Sequence, residues 1–213
     1  MSFKIINKLC VFLGICLVVG IINIAAQKSY TIVPGVKFGE ITSRTSEADL
    51  KKIYGSKNVK RDEIGLGEGE TMPGTVVFPN DEKKRFSIVW KNEKTRNSPD
   101  FIQFFGEKSP WKINNGVGIG TTLKELEKLN GKPFELAGFQ WDYSGTVYSW
   151  KSGKLAKLFG NDGNKVSLML NPDYEKAPAK DLDAMVGDGG FSSSHKSMQR
   201  LNPRVSYIII KFP

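Results

Sequence analysis

Cysteine and histidine are almost absent from this chain. The two cysteines, Cys10 and Cys16, both fall within the first 26 residues, and His195 is the one histidine. With that opening segment removed, disulfides, thiolate nucleophiles and cysteine-ligated metals are excluded together. No metal-ligand cluster and no paired carboxylates of an acid/base couple stand out, so neither a cofactor nor a metal is expected. No segment after residue 26 is apolar enough to span a bilayer. Without disulfides, stability has to come from core burial, for which the remaining length is ample.

The opening residues supply what the rest lacks. Lys4 and Lys8 precede an unbroken apolar run over residues 9–22, followed by Asn23-Ile24-Ala25-Ala26-Gln27. A charged start, a short apolar stretch and a small residue at the cut describe a secretory signal, with cleavage expected between Ala26 and Gln27. The run is shorter than the about 20 apolar residues that a membrane anchor needs. The expectation is a secreted or periplasmic protein that meets the membrane only through its transient signal.

The whole chain carries a formal charge of +9, which falls to +7 when Lys4 and Lys8 are removed. Its basic residues are dispersed among acids, as in Asp81-Glu82-Lys83-Lys84-Arg85. A nucleic-acid binder gathers its cations into a stripe with stacking aromatics, so no nucleic acid is expected as a partner.

Four blocks recur in the same order. Gly35-Val36-Lys37-Phe38-Gly39 returns as Gly116-Val117-Gly118-Ile119-Gly120. Leu50, Ile53 and Gly55 return as Leu126, Leu129 and Gly131 at a constant offset of 76. Gly74-Thr75-Val76 matches Gly145-Thr146-Val147, and Phe86-Ser87-Ile88-Val89-Trp90 matches Val166-Ser167-Leu168-Met169-Leu170. Ser46 and Thr122 each have an acid three positions on, Asp49 and Glu125, which predicts a capping box at the start of a helix. Apolar residues at i, i+3 give each helix one buried face, and Gly55 and Gly131 end them. The last block alternates apolar and polar residues, as half-buried antiparallel strands do. The predicted fold is α+β: two tandem repeats of a short helix packed on an antiparallel sheet, over residues 27–112 and 113–213, the second with a further short helix and a C-terminal strand at 205–212.

The stretch from Gly120-Thr121-Thr122 through Leu126, Leu129 and Gly131-Lys132-Pro133 resembles the signature of the β-lactamase inhibitory protein superfamily, which also includes small outer-membrane assembly lipoproteins. That resemblance implies one or two helix-plus-sheet units, export, and the binding of other proteins without catalysis. Repeat one departs from it, with five extra residues between Gly39 and Leu50 and Ser56-Lys57-Asn58 in place of Gly-x-Pro. The inhibitors' disulfides cannot form here.

Candidate chemistry is sparse. The segment 187–195, Gly-Asp-Gly-Gly-Phe-Ser-Ser-Ser-His, holds a serine, a histidine and an aspartate, but its composition predicts a mobile loop, whereas a triad needs rigid, distant supports. Lys180-Asp181-Leu182-Asp183 predicts the exposed face of a helix opening near Pro178. Gly65-Leu66-Gly67-Glu68-Gly69-Glu70 lacks the lysine and hydroxyl that grip phosphate, and predicts a hairpin loop. Asn161-Asp162-Gly163-Asn164 lacks a calcium loop's closing glutamate, and predicts a tight turn. No catalytic residue is expected.

The aromatic stretch 139–150 is the most informative. A turn at Ser144-Gly145 would pair Tyr143 with Thr146, Trp141 with Tyr148 and Phe139 with Trp150, placing all five aromatics on one face. That face is either core beneath the helices or an exposed recognition surface. The candidate binding residues are therefore Trp141, Tyr143, Tyr148 and Trp150. Alternation also turns Phe86, Ile88, Trp90, Val166, Leu168 and Leu170 toward the helices, and Ser87, Val89, Ser167 and Met169 away from them. Concatenated sheets would make this second face one surface, large enough for an interface of about 800 Å² per partner. The expected function is inhibitor-like binding of a protein in the cell envelope or outside the cell. The alternative is a structural envelope component that holds cell-wall or surface glycan through Trp141, Tyr148 and Trp150.

Overall fold

The expected capping boxes form at both helix starts. A computed structural model describes residues 29–141 and 143–213; the expected export signal and its expected cleavage between Ala26 and Gln27 lie outside the described residues. The Ser46 hydroxyl accepts from the Asp49 N–H at 3.1 Å and the Asp49 carboxylate accepts from the Ser46 N–H at 3.1 Å. Thr122 and Glu125 do the same at 3.2 and 2.7 Å. Each helix then runs eight residues and ends at a glycine with positive φ, Gly55 and Gly131. Leu50 and Leu126 occupy their buried faces and are wholly inaccessible to solvent.

In chain order the elements are β1 (Thr31–Val33), β2 (Lys37–Phe38), β3 (Ile41–Thr42), α1 (Glu47–Tyr54), β4 (Val59–Gly67), β5 (Glu70–Val77), β6 (Phe86–Trp90), β7 (Pro99–Phe105) and β8 (Lys112–Ile113). There follow α2 (Leu123–Asn130), β9 (Glu135–Ala137), β10 (Val147–Ser149), α3 (Lys154–Phe159), β11 (Val166–Asn171), α4 (Ala179–Asp183), β12 (Gly190–Ser192), α5 (Lys196–Leu201) and β13 (Arg204–Lys211). The protein is α+β, with five α-helices among the described residues and a preponderance of antiparallel strand pairs.

Its main layer is a six-stranded antiparallel sheet in the order β11-β13-β7-β6-β5-β4. The C-terminal strand β13 inserts between β7 and β11 and so joins strands from the two halves of the chain. Two small sheets, β3-β2-β1-β8 and β10-β9-β12, complete the fold. The boundary between residues 112 and 113 falls within β8, which pairs in parallel with β1.

The matched blocks reach different surroundings. Gly74-Thr75-Val76 lies in β5 and makes a full ladder with β6. Thr146 instead meets Met169 of β11 through one isolated bridge, while Val147 belongs to the separate sheet with β9 and β12. The main hydrophobic core draws on both halves, with Phe86, Ile88 and Trp90 from β6 and Val166, Leu168 and Leu170 from β11 all in it, as alternation predicts.

The serine-rich segment is tied into the fold instead of forming a free loop. Gly190–Ser192 pairs with β9 as β12. Ser193 is fully buried; its hydroxyl donates to Glu127 at 2.7 Å and accepts from the Phe134 N–H at 2.9 Å. The pairing with β9 and the bonds of Ser193 to Glu127 and Phe134 lie outside what composition can show. Likewise Asp181 is buried and not on an exposed face, because Arg200 of α5 bonds its carboxylate, through Nε at 2.7 Å and through Nη2.

Candidate binding groove on the outer sheet face

The six-stranded sheet has a face turned away from the main core, and register decides what stands on it. Ser87, Gln103, Ile209 and Ser167 lie side by side across β6, β7, β13 and β11. In the next row Phe105, Tyr207 and Met169 are neighbours, and the rings of Phe105 and Tyr207 stack with centroids 6.0 Å apart and planes 15° from parallel. Ser87, Val89, Ser167 and Met169 thus occupy the face that the alternation assigns them.

One end of this face is covered by the chain itself. Ile64 on β4 closes over Gly74, where any side chain would collide with it, and joins Val76, Val89 and Phe101 in a second, small apolar cluster. Beyond Ile64 the β4–β5 hairpin reaches across the face toward β11. The Gln103 side-chain amide donates to the Gly65 carbonyl at 3.0 Å and holds the hairpin there. Its tip is the predicted loop, with Glu68 and Gly69 both at positive φ, 51° and 79°. Two such residues define the type I′ turn whose twist matches the flanking strands.

Between this tip and the segment carrying Tyr143 and Thr146 lies a groove of about 670 Å³, with Met169, Tyr207 and Ile209 on its floor. Among the described residues, its charged lining side chains are Glu68 and Glu70. Burial pushes the Tyr207 phenol up to about 12, so its hydroxyl stays protonated at neutral pH. The lining combines apolar and aromatic contact area with two carboxylates and a phenol, as small recognition sites do.

Of the residues singled out from the sequence, Tyr143 lines the groove, 63% exposed. Trp141 and Tyr148 are exposed but do not line it. Trp150 is 1% exposed and packs on Phe134 and Phe159, so it is core and not a binding residue. The single aromatic face does not form. The Ser144-Gly145 turn does, with the Thr146 N–H donating to the Tyr143 carbonyl at 2.9 Å. The ladder beyond it is different: Val147 pairs with Leu136, Ser149 pairs with Glu135, and a bulge lies between Val147 and Ser149. The cause is Gly145, packed so tightly on β11 that a Cβ would lie 1.8 Å from the Leu170 carbonyl oxygen. Its own carbonyl accepts from the Leu170 N–H at 3.0 Å. That contact opens the predicted hairpin into a broad loop, sending Phe139 and Trp150 inward and Trp141, Tyr143 and Tyr148 outward.

Two other polar constellations are structural. Glu47 is buried, and its carboxylate accepts from Arg61 at 3.0 Å, Arg96 at 3.1 Å and Lys51 at 3.1 Å. Burial alone would raise its carboxyl, but the hydrogen bonds from Arg61, Lys51 and Arg96 outweigh it and hold the group at about 2. His195 caps α5, its Nδ1 accepting from the Ser197 N–H at 3.2 Å.

Sequence reasoning placed Glu68 and Glu70 only in a hairpin loop, and did not reach Tyr207 or Ile209 as site residues. The alternation in β13 could have assigned those two to the outer face, but not the strand's place between β7 and β11. Among the described residues, no group of histidines and carboxylates could hold a metal ion, and no helix is long and apolar enough to cross a membrane. Together these features define an α+β protein with a preformed groove on its open sheet face. No family model, no curated protein and no solved structure matches the chain.

Proposed function

We propose that this is an exported, non-enzymatic binding protein that recognises another protein through the outer face of its six-stranded sheet. The observation that carries the reading is the groove itself. A groove with no described helix residue in its lining is walled at both ends by the chain's own loops and floored by Met169, Tyr207 and Ile209. The signal-like segment of residues 1–26 supports export. The matched capping boxes, with Leu50 and Leu126 at equivalent buried positions, support the tandem-unit reading and, with it, the resemblance to the inhibitor superfamily. Shared architecture does not by itself fix a target. The glycan alternative is left with two exposed aromatics, Trp141 and Tyr148, since Trp150 is buried.

The test compares capture from envelope and secreted fractions by the chain beginning at Gln27 and by its Met169→Lys variant. A protein retained by the first and lost by the second is the expected result. Equal retention by both would remove the outer face from the reading.

A further inference from the structure

The charge in the groove runs against the charge of the chain. Lysine and arginine outnumber aspartate and glutamate 31 to 22, yet among the described residues the charged side chains lining the groove, Glu68 and Glu70, are acids. Seven carboxylates, Glu47, Asp49, Asp62, Asp81, Glu135, Asp173 and Asp181, form neutralising ion pairs within the protein. Among the described residues neither Glu68 nor Glu70 does. They stand at the tip of a hairpin pinned by Gln103, so the groove exists without a ligand to shape it.

The walls also carry backbone that their side chains disfavour. Glu68 has φ 51° and Tyr143 has φ 58°, in the left-handed region where residues with a Cβ are strained. Glycine or asparagine is the usual residue at the Glu68 position of a type I′ turn. Retained strain of this kind clusters at ligand clamps. Here it sets a carboxylate on one side of the groove and a tyrosine ring on the other.

We infer that the groove takes a peptide segment of a partner protein in which a lysine or arginine is flanked by apolar side chains. The cation is held by Glu68 and Glu70, and the apolar neighbours pack on Tyr143, Met169, Tyr207 and Ile209. Opposite charge across the opening favours such a segment and disfavours an acidic one. This inference rests on the protein-binding reading of the same face and adds the chemistry of the partner.

The experiment is selection from a random peptide library displayed on phage. The targets are the chain beginning at Gln27, its Glu68→Gln/Glu70→Gln double variant and its Met169→Lys variant, each confirmed as folded by circular dichroism. Wild type should enrich peptides with a basic residue between apolar ones. Replacing that basic residue by glutamine should weaken binding about tenfold, the scale of one charge-assisted hydrogen bond. The double variant should lose the preference for basic residues, and binding should weaken with added salt. If wild type enriches peptides with no basic preference, or the double variant keeps that preference, the charge inference is overturned. In that case loss of binding in Met169→Lys leaves the groove reading standing. If Met169→Lys selects and binds the same peptides as wild type, or no peptide is enriched on wild type, the groove reading falls with it.

Discussion

Gln103, on β7 in the middle of the six-stranded sheet, hydrogen-bonds the carbonyl of Gly65, 38 residues earlier in the chain, at 3.0 Å. Its side chain is buried on the outer face, and the bond turns the end of a free hairpin into one wall of the groove. Replacing Gln103 with leucine keeps most of the volume and removes the donor. The expected cost is about 1 kcal/mol, the net worth of such a bond. Amide exchange at residues 65–70 should accelerate far more than in β6 or β13. Unchanged protection at the hairpin tip would show that Ile64 and its apolar neighbours hold it alone.

Glu68 offers an opposed pair of effects. Glu68→Asn places the favoured Asn-Gly pair in the type I′ turn and relieves a left-handed conformation whose cost for an ordinary residue is about 1–2 kcal/mol. Thermal unfolding should show a gain of up to about 1 kcal/mol, while binding of basic peptides should weaken. A residue that costs stability and supports binding is the expected trade at a functional site. If the variant is less stable, the turn is not strained as its φ implies.

Glu47 predicts how the protein responds to acid. Its carboxyl is held at about 2, against an ordinary value of 4.5. A depressed folded-state value contributes stability that is fully present above pH 4.5 and is lost as pH falls from there through about 2. The shift corresponds to about 2 to 3 kcal/mol, allowing for the solvent that reaches the Lys51 and Arg61 side of the cluster. Glu47→Gln should remove that contribution and flatten denaturation midpoints measured between pH 5 and pH 2. It should also destabilise at neutral pH, because Arg96 is left facing Arg61 without a counter-ion.

Leu50 and Leu126 show how far the sequence could be read. Helix positions, caps and buried faces follow from residues within one turn of each other, so Ser46–Asp49 and Thr122–Glu125 suffice to place them. Strand faces follow from alternation, which put Phe86 and Val166 inward and Ser87 and Met169 outward. Strand neighbours do not follow, because β13 pairs with β11 and also with β7, whose Phe105 lies far from its partner Tyr207 in sequence. The aromatic hairpin was misread for the same reason: its ladder is broken by a contact between Gly145 and Leu170, which no local pattern displays. Leu50→Ala and Leu126→Ala should each cost about 2–5 kcal/mol in denaturant unfolding, since both leave a cavity in a fully enclosed site. A loss well below that range at either position would mean that its helix is not anchored as the packing indicates.

The tryptophans test the placement of the aromatic segment directly. Trp90, Trp111 and Trp150 are 4%, 1% and 1% exposed, and Trp141 is 60% exposed. Iodide reaches only solvent-exposed indoles, so quenching should divide the emission into a small accessible fraction and a large protected one. Trp141→Phe should abolish the accessible fraction, and Trp150→Phe should leave it unchanged while destabilising the fold. If iodide instead quenches Trp150, the predicted flat ladder of aromatics would be restored, Trp150 would return to the surface beside Tyr148, and the case for a glycan-binding face would reopen.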